Sequence, residues 1–274
     1  MNLSDLPIIG YFSGRRRGRL VRDYFLISVA LIGGGLILSG AVEIYYRYYE
    51  TQEQMALFQK EVATGAAFKI DLFVQEIHNI LRSATRSREI APRGLTDEFR
   101  FELEKLLLIA PSITEAVALD RNGAVQVQAS RLRTVLPEAQ KSQPPTLPFE
   151  EAKKGKSFFG QVYFVRGSEP YMTIAVPIER FAGDVIGVLQ AEVNLKYIGD
   201  VVAAIHIGKA GHAYAITRSG ELIAHPDISL VLQRKKASGL EQAKAAFSAP
   251  ANQPKTAVIV ARSLQGIKVC SSFA

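Results

Sequence analysis

The chain has little of what staples or metallates a small protein. Cys270 is the only cysteine among 274 residues, so neither an intrachain disulfide nor a cysteine-rich metal site can form. Signatures of catalysis are also missing: there is no G-x-S-x-G elbow, no P-loop and no H-E-x-x-H. Tryptophan is absent. Charge is absent from Phe25 to Val42, and proline from Glu43 to Ile90. The net charge is +7, yet beyond the N-terminal arm the basic residues are scattered, which leaves no footprint for nucleic acid.

These gaps organise the chain. The run "FLISVALIGGGLILSGAV" (25–42), flanked by Tyr24, Tyr45 and Tyr46, is long enough for a helix to cross a hydrocarbon layer of about 30 Å. Arg15, Arg16, Arg17, Arg19 and Arg22 precede it, whereas Glu43, Arg47, Glu50 and Glu53 follow, so the N-terminus is expected in the cytoplasm. Ser39-Gly40-Ala41 resembles a signal-peptide cleavage site. The apolar run nevertheless exceeds the ~7 to 15 residues of a signal peptide and follows a long arm, which favours an uncleaved anchor. The expected layout is a cytoplasmic basic arm (1–24), then a transmembrane helix (25–46).

Proline-free chain follows, with Phe58, Val62, Phe73, Ile77, Ile80, Leu81 and Ala84 at three- and four-residue steps. One long amphipathic helix is expected over 47–90, able to transmit a displacement or to pair with a second copy. Gly35 and Ser39 within the span would let two helices approach closely. "APRG" (91–94) ends the pattern, and Thr96 is expected to cap a helix carrying Phe99, Leu103, Leu106 and Leu107.

From Ile113 the period becomes two. "EAVALDRNGAVQVQAS" reads as a hairpin in which Asn122-Gly123 supplies positive φ angles. "PEAQKSQPPTLP" (137–148) reads as a mobile surface loop. Strand-like runs over Ser157–Val165, Tyr171–Ile178 and Val185–Val193 should form an antiparallel meander. A helix through Leu195, Ile198, Val202 and Ile205 then leads to Gly208, and a second, smaller sheet is expected from the remainder. The fold class is α+β.

The strings "SEPYMTIAVPI" (168–178) and "GVLQAEVNLKYIGDVVAAIHIGKAGHAYAITRSGELIAHPDISLVLQR" (187–234), with the preceding span and long helix, resemble the double Cache sensor modules of bacterial transmembrane receptors. The likeness is nearest to modules attached to histidine kinases and to adenylate or guanylate cyclases. It implies two PAS-like domains stacked on one helix: a membrane-distal one (91–198) that takes a small ligand and a membrane-proximal one (199–274). It also implies a periplasmic sensor on the bacterial inner membrane. In the amino-acid-binding branch a Trp precedes a Pro-Tyr-x-Asp element. Here Phe159, Val162, Tyr163 and Val165 occupy the corresponding strand, and only the Tyr of that element matches. Receptors of this type continue into a second span and an output domain, whereas this sequence stops at "KVCSSFA". The proximal domain is therefore expected to be truncated, the chain being a sensor region without its output. A membrane-anchored solute-binding subunit, or the sensor part of a cyclase or chemoreceptor, is the alternative.

A PAS-like pocket lies between a sheet and its cover, which points to Ser130, Arg131, Tyr163 and Tyr171 as ligand-binding residues. The Arg131 fork would suit an organic anion. His225-Pro226-Asp227 offers a base or metal ligand on paper. Too few partners surround it, so His225, Pro226 and Asp227, with Gly208, Gly211 and Gly220, are read as hairpin and cap residues. The expectation is a non-enzymatic chain with no metal and no cofactor, whose partners are a small molecule, the membrane and a second copy paired through the long helix.

Overall fold

The computed structural model describes residues 14–86, 98–131, 146–165, 169–180, 183–208, 210–248 and 259–274. The cap expected at Thr96, the side chains of Arg15 to Arg19 and most of the proline-rich segment lie outside the described residues.

The chain divides into two compact units, Met1–Leu57 and Phe58–Ala274. Helix α1 (Gly14–Thr85) contributes to both. In the first unit its apolar run is bare, with Phe25, Leu31, Leu36 and Ile37 each about two-thirds or more exposed. Among the described residues this is the one helix long and apolar enough to cross a membrane. In the second unit the same helix turns amphipathic. Ile77 and Leu81 are buried, and Ile70, Phe73, Val74, Ile80 and Ala84 pack beside them.

That stripe meets helix α2 (Glu98–Ile109) and one face of a six-stranded antiparallel sheet. The strands are β1 (Ile113–Asp120), β2 (Val125–Ser130), β3 (Phe158–Phe159), β4 (Tyr163–Val165), β5 (Glu169–Glu179) and β6 (Val185–Asn194), in the order β2-β1-β6-β5-β3, with β4 also on β5. Leu103, Ile113, Ile174, Val176, Leu189 and Val193 fill the core between sheet and helices. Each fully buried aliphatic side chain of this kind contributes on the order of 2 kcal/mol.

Several expectations are corrected in detail. The β1–β2 turn carries one positive φ, at Gly123, and not two. Asp120 organises it instead: its carboxylate accepts from the Asn122 and Ala124 amides at 2.8 and 2.9 Å, and the register shifts beside it. The run 157–165 is two strands, because at Gly160 the backbone turns its N–H to the Thr173 carbonyl (2.8 Å) at an approach that a Cβ would crowd. Helix α3 (Leu147–Lys153), which buries Phe149 and Ala152, takes over the last two residues of the segment assigned to a loop, Leu147 and Pro148.

Helix α4 (Lys196–Ala203) ends before Ile205, and Leu195, Ile198 and Val202 join the same core. Beyond it there is no single second sheet among the described residues. Three separate two-stranded ladders form instead: β7 (His206–Ile207) with β8 (Gly211–His212), β9 (Ala215–Ile216) with β10 (Leu222–Ala224), and β11 (Ile259–Arg262) with β12 (Lys268–Ser271). Helices α5 (Ile228–Leu232) and α6 (Glu241–Ser248) lie between them in sequence. Strands of two to four residues offer too few rungs to extend one ladder into the next.

Candidate functional site

The free face of the six-stranded sheet is built in rows. Successive side chains of a strand alternate between faces, so residues opposite one another on neighbouring strands share a face. Leu119 and Val188 form an apolar row covered by Phe149 and Ala152 of α3. The next row is mixed, with Val117, Gln128, Gln190 and Ala175. Beyond it the character changes. Ser130, Glu115, Glu192 and Thr173 stand side by side across β2, β1, β6 and β5. The last row is Asn194, Tyr171 and Tyr163, across β6, β5 and β4.

These two rows form a polar floor within a framework whose other face is core. The Gln128 amide donates to the buried carboxylate of Glu115. Tyr171 donates its hydroxyl to Glu169 and accepts from Asn194, both at 3.1 Å. Its ring lies 6.3 Å from that of Tyr163, the planes 30° apart. The Tyr163 hydroxyl is buried and meets no partner in hydrogen-bond geometry among the described residues. Burial pushes its pKa up to about 12, with Thr173 pulling it down and Glu192 adding to the rise. Burial raises Tyr171 as well. Both phenols are thus neutral donors or acceptors over the physiological range.

Three of the four ligand candidates, Ser130, Tyr163 and Tyr171, therefore stand on this floor. Arg131 lies outside both rows: it is exposed at the rim, its amide donating to the Thr114 carbonyl (2.9 Å) and its Nε to that of Ile113 (3.3 Å). The acids Glu115 and Glu192 and the amides Gln128 and Asn194 escaped the sequence reading. Their signal was a carboxylate inside each of two largely apolar runs, "ITEAVALD" and "VIGVLQAEVN".

The second cluster sits elsewhere. Asp227 caps α5, accepting from the Ser229 amide at 3.0 Å, which holds its carboxyl below the usual range. His225 is buried, and its Nδ1 lies 2.9 Å from the Asp227 amide nitrogen, from which it accepts in the Nε2–H tautomer, and 3.2 Å from the Asp227 carbonyl, to which it donates when protonated. Burial lowers its pKa, and His212, 4.9 Å away between ring centroids, lowers it further. Pro226 sets the intervening bend. Gly208 and Gly220 hold φ of +60° and +83°, and Gly211 pairs with Ile207 closely enough to exclude a side chain. Among the described residues no three His, Cys, Asp or Glu side chains converge as a metal site would require.

The profile of the Cache domain, in its double form, matches residues 49–269. The chain belongs to the Cache domain family. Cache domains are extracellular, non-catalytic, ligand-binding sensor domains of chemoreceptors and histidine kinases, and this Cache chain is a sensor region of that kind. No curated protein sequence matches it. Three solved Cache structures share its fold. The ligand-binding domain of the Pseudomonas aeruginosa PAO1 amino acid chemoreceptor PctC, in complex with GABA, is 17% identical with a TM-score of 0.56, covering 78% of this chain and 89% of that one. That of the Pseudomonas fluorescens chemoreceptor CtaA, in complex with L-isoleucine, is 16% identical with a TM-score of 0.53, covering 81% and 86%. The extracellular domain of the histidine kinase mmHK1S-Z2 is 17% identical with a TM-score of 0.52, covering 70% and 81%.

Proposed function

We propose that this chain is the extracytoplasmic sensor region of a bacterial inner-membrane receptor, and that its six-stranded sheet takes a small ligand bearing an ammonium group. The observation that carries the ligand class is the row Ser130, Glu115, Glu192, Thr173 beside Tyr163 and Tyr171. Two acidic side chains on one face, with no Lys or Arg in either row, make a site that favours a cation. Neighbouring aromatic rings add attraction for the same charge. The organic anion suggested by Arg131 loses its main support, since that guanidinium stands at the rim and the floor is acidic.

In this reading the N-terminal arm is cytoplasmic, residues 25–46 cross the membrane, the six-stranded unit is membrane-distal and the segment from 199 onward is membrane-proximal. The long helix pairs with a second copy. A ligand acts by favouring one of two arrangements of the distal sheet on that helix, by no more than its differential affinity for them. A histidine kinase is the favoured parent, a cyclase or chemoreceptor the alternative. The test of the ligand class is a thermal-shift comparison on the full chain in nanodiscs, using n-butylamine and butyrate as matched probes. A binder of the folded state raises the midpoint by mass action. The amine is expected to raise it and butyrate to leave it unchanged; the reverse order would refute the cationic reading.

A further inference from the structure

A cavity of about 430 Å³ lies in the second unit, away from the free face of the six-stranded sheet. Its walls come from α1, between Gln59 and Ile70, from the end of α4 and from α6 and β12. This volume falls in the usual range for small-molecule pockets, about 300 to 1,000 Å³. Among the described residues the lining is largely Ala, Val, Ile and Phe, with His212, His225, Tyr214 and Cys270 as its titratable side chains and no Asp, Glu, Lys or Arg.

Two polar atoms there are left over. The side-chain amide oxygens of Gln59 and Gln242 are buried, and neither has a hydrogen-bond partner among the described residues. Gln242 is only 6% exposed, and its orientation is fixed: its Nε2 donates to the Arg262 carbonyl at 3.2 Å and to the Tyr214 hydroxyl at 3.4 Å. Turning the amide over would set two acceptors against each other at Arg262. Its oxygen therefore has no donor among the described residues. Buried acceptors left in that state are costly, and folded proteins rarely keep two in one cavity without something that donates to them.

We infer that this cavity is a second ligand site, for a neutral small molecule that presents N–H donors from a flat apolar body, such as a primary carboxamide or an amino-substituted ring. The oxygens of Gln59 and Gln242 accept from the N–H groups, and the aliphatic walls cover the body. Neutrality follows from the lining, because a charged ligand would be desolvated there with no Asp, Glu, Lys or Arg among the described residues to face it, and burial disfavours charge on His225 as well.

Benzamide and benzoate are matched probes: similar in size and shape, but only benzamide is neutral and donates N–H bonds. Their binding to the full chain in nanodiscs can be followed by ligand-observed saturation-transfer NMR. Benzamide is expected to bind at least about tenfold more tightly than benzoate, and Gln242→Leu and Gln59→Leu each to weaken it by about tenfold, the worth of one buried hydrogen bond. Gln59 lies on a different wall from Gln242, so its variant serves if Gln242→Leu does not fold. Glu192→Gln is expected to leave benzamide binding unchanged, so this site and the sheet site fail independently. Equal affinity for the two probes, no saturable benzamide binding, or benzamide binding untouched by both Gln variants would overturn the inference and leave water as the partner of the two oxygens.

Discussion

Glu115 and Glu192 stand directly opposite each other on the adjacent central strands β1 and β6, two acidic side chains on one face in a sheet whose other face is packed core. Like charges in that position oppose strand pairing. Replacing one by its neutral isostere, Glu192→Gln, is expected to stabilise the ligand-free chain by up to about 1 kcal/mol. The thermal midpoint would then rise by a few degrees. A fall of the midpoint would mean that the Glu192 charge is needed for folding and is not held for a ligand.

Arg131 provides the converse test. With its Nε on the Ile113 carbonyl and its side chain exposed, it is placed to finish the edge of β1 and not to read a ligand. Arg131→Ala is expected to leave n-butylamine binding within about twofold of the parent chain, or slightly tighter for the loss of a nearby like charge. A tenfold loss in a calorimetric titration would return Arg131 to the site.

The turn at Gly220 makes a prediction about the 206–274 region. Its φ is +83°, and an added Cβ would lie 2.5 Å from the Ser238 Cβ and 2.8 Å from its backbone nitrogen. Gly208 also has positive φ, at +60°, but nothing within 4 Å of such a Cβ. Gly208→Ala is expected to cost the conformational penalty alone, about 1 to 2 kcal/mol, and Gly220→Ala distinctly more. Equal costs, read by thermal denaturation, would mean that the turn and the Ser238 loop are not packed as described.

His225 links stability to pH. Burial, followed by the His212 ring, holds its pKa below the ordinary histidine value. Between that lowered value and about 6.5 the unfolded chain binds a proton that the folded chain does not. The stabilisation is therefore complete above about pH 6.5 and declines as the pH falls below it. His78, lowered mainly by burial, acts in the same direction. Asparagine at 225 keeps an acceptor for the Asp227 amide and removes the proton site, so His225→Asn is expected to flatten the decline between about pH 6.5 and 5. An unchanged slope would place the acid sensitivity elsewhere.

Much of the architecture could be read from periodicity. Runs such as Val125–Ser130 alternate clearly enough to set a strand and its faces, and Phe73, Ile77, Leu81 and Ala84 mark the buried stripe of α1. Short elements could not be read so well. Helix α3 begins on the last two residues of a proline-rich segment, although Leu147-Pro148 with Glu150 is a helix start in miniature. The ladders after α4 are too short for a register to show in the sequence. For the proposed site, Ser130, Tyr163 and Tyr171 were legible as residues able to reach inward from the distal sheet, and they share its free face. Glu115 and Glu192 carry only a weak local signal, since a lone carboxylate in a strand is ordinarily solvated. Their meeting depends on β1 pairing with β6, a contact between residues 77 apart in the chain that no local pattern encodes.

The most direct measurement is a calorimetric titration of n-butylamine into the full chain in nanodiscs, with and without Glu192→Gln. An ammonium group held by that carboxylate is worth about 1.5 to 3 kcal/mol, so the variant is expected to bind the amine roughly ten- to a hundredfold more weakly while remaining as stable as the parent or more so. Amine affinity unchanged by the loss of the Glu192 charge would contradict the assignment of the acidic row as the ligand floor.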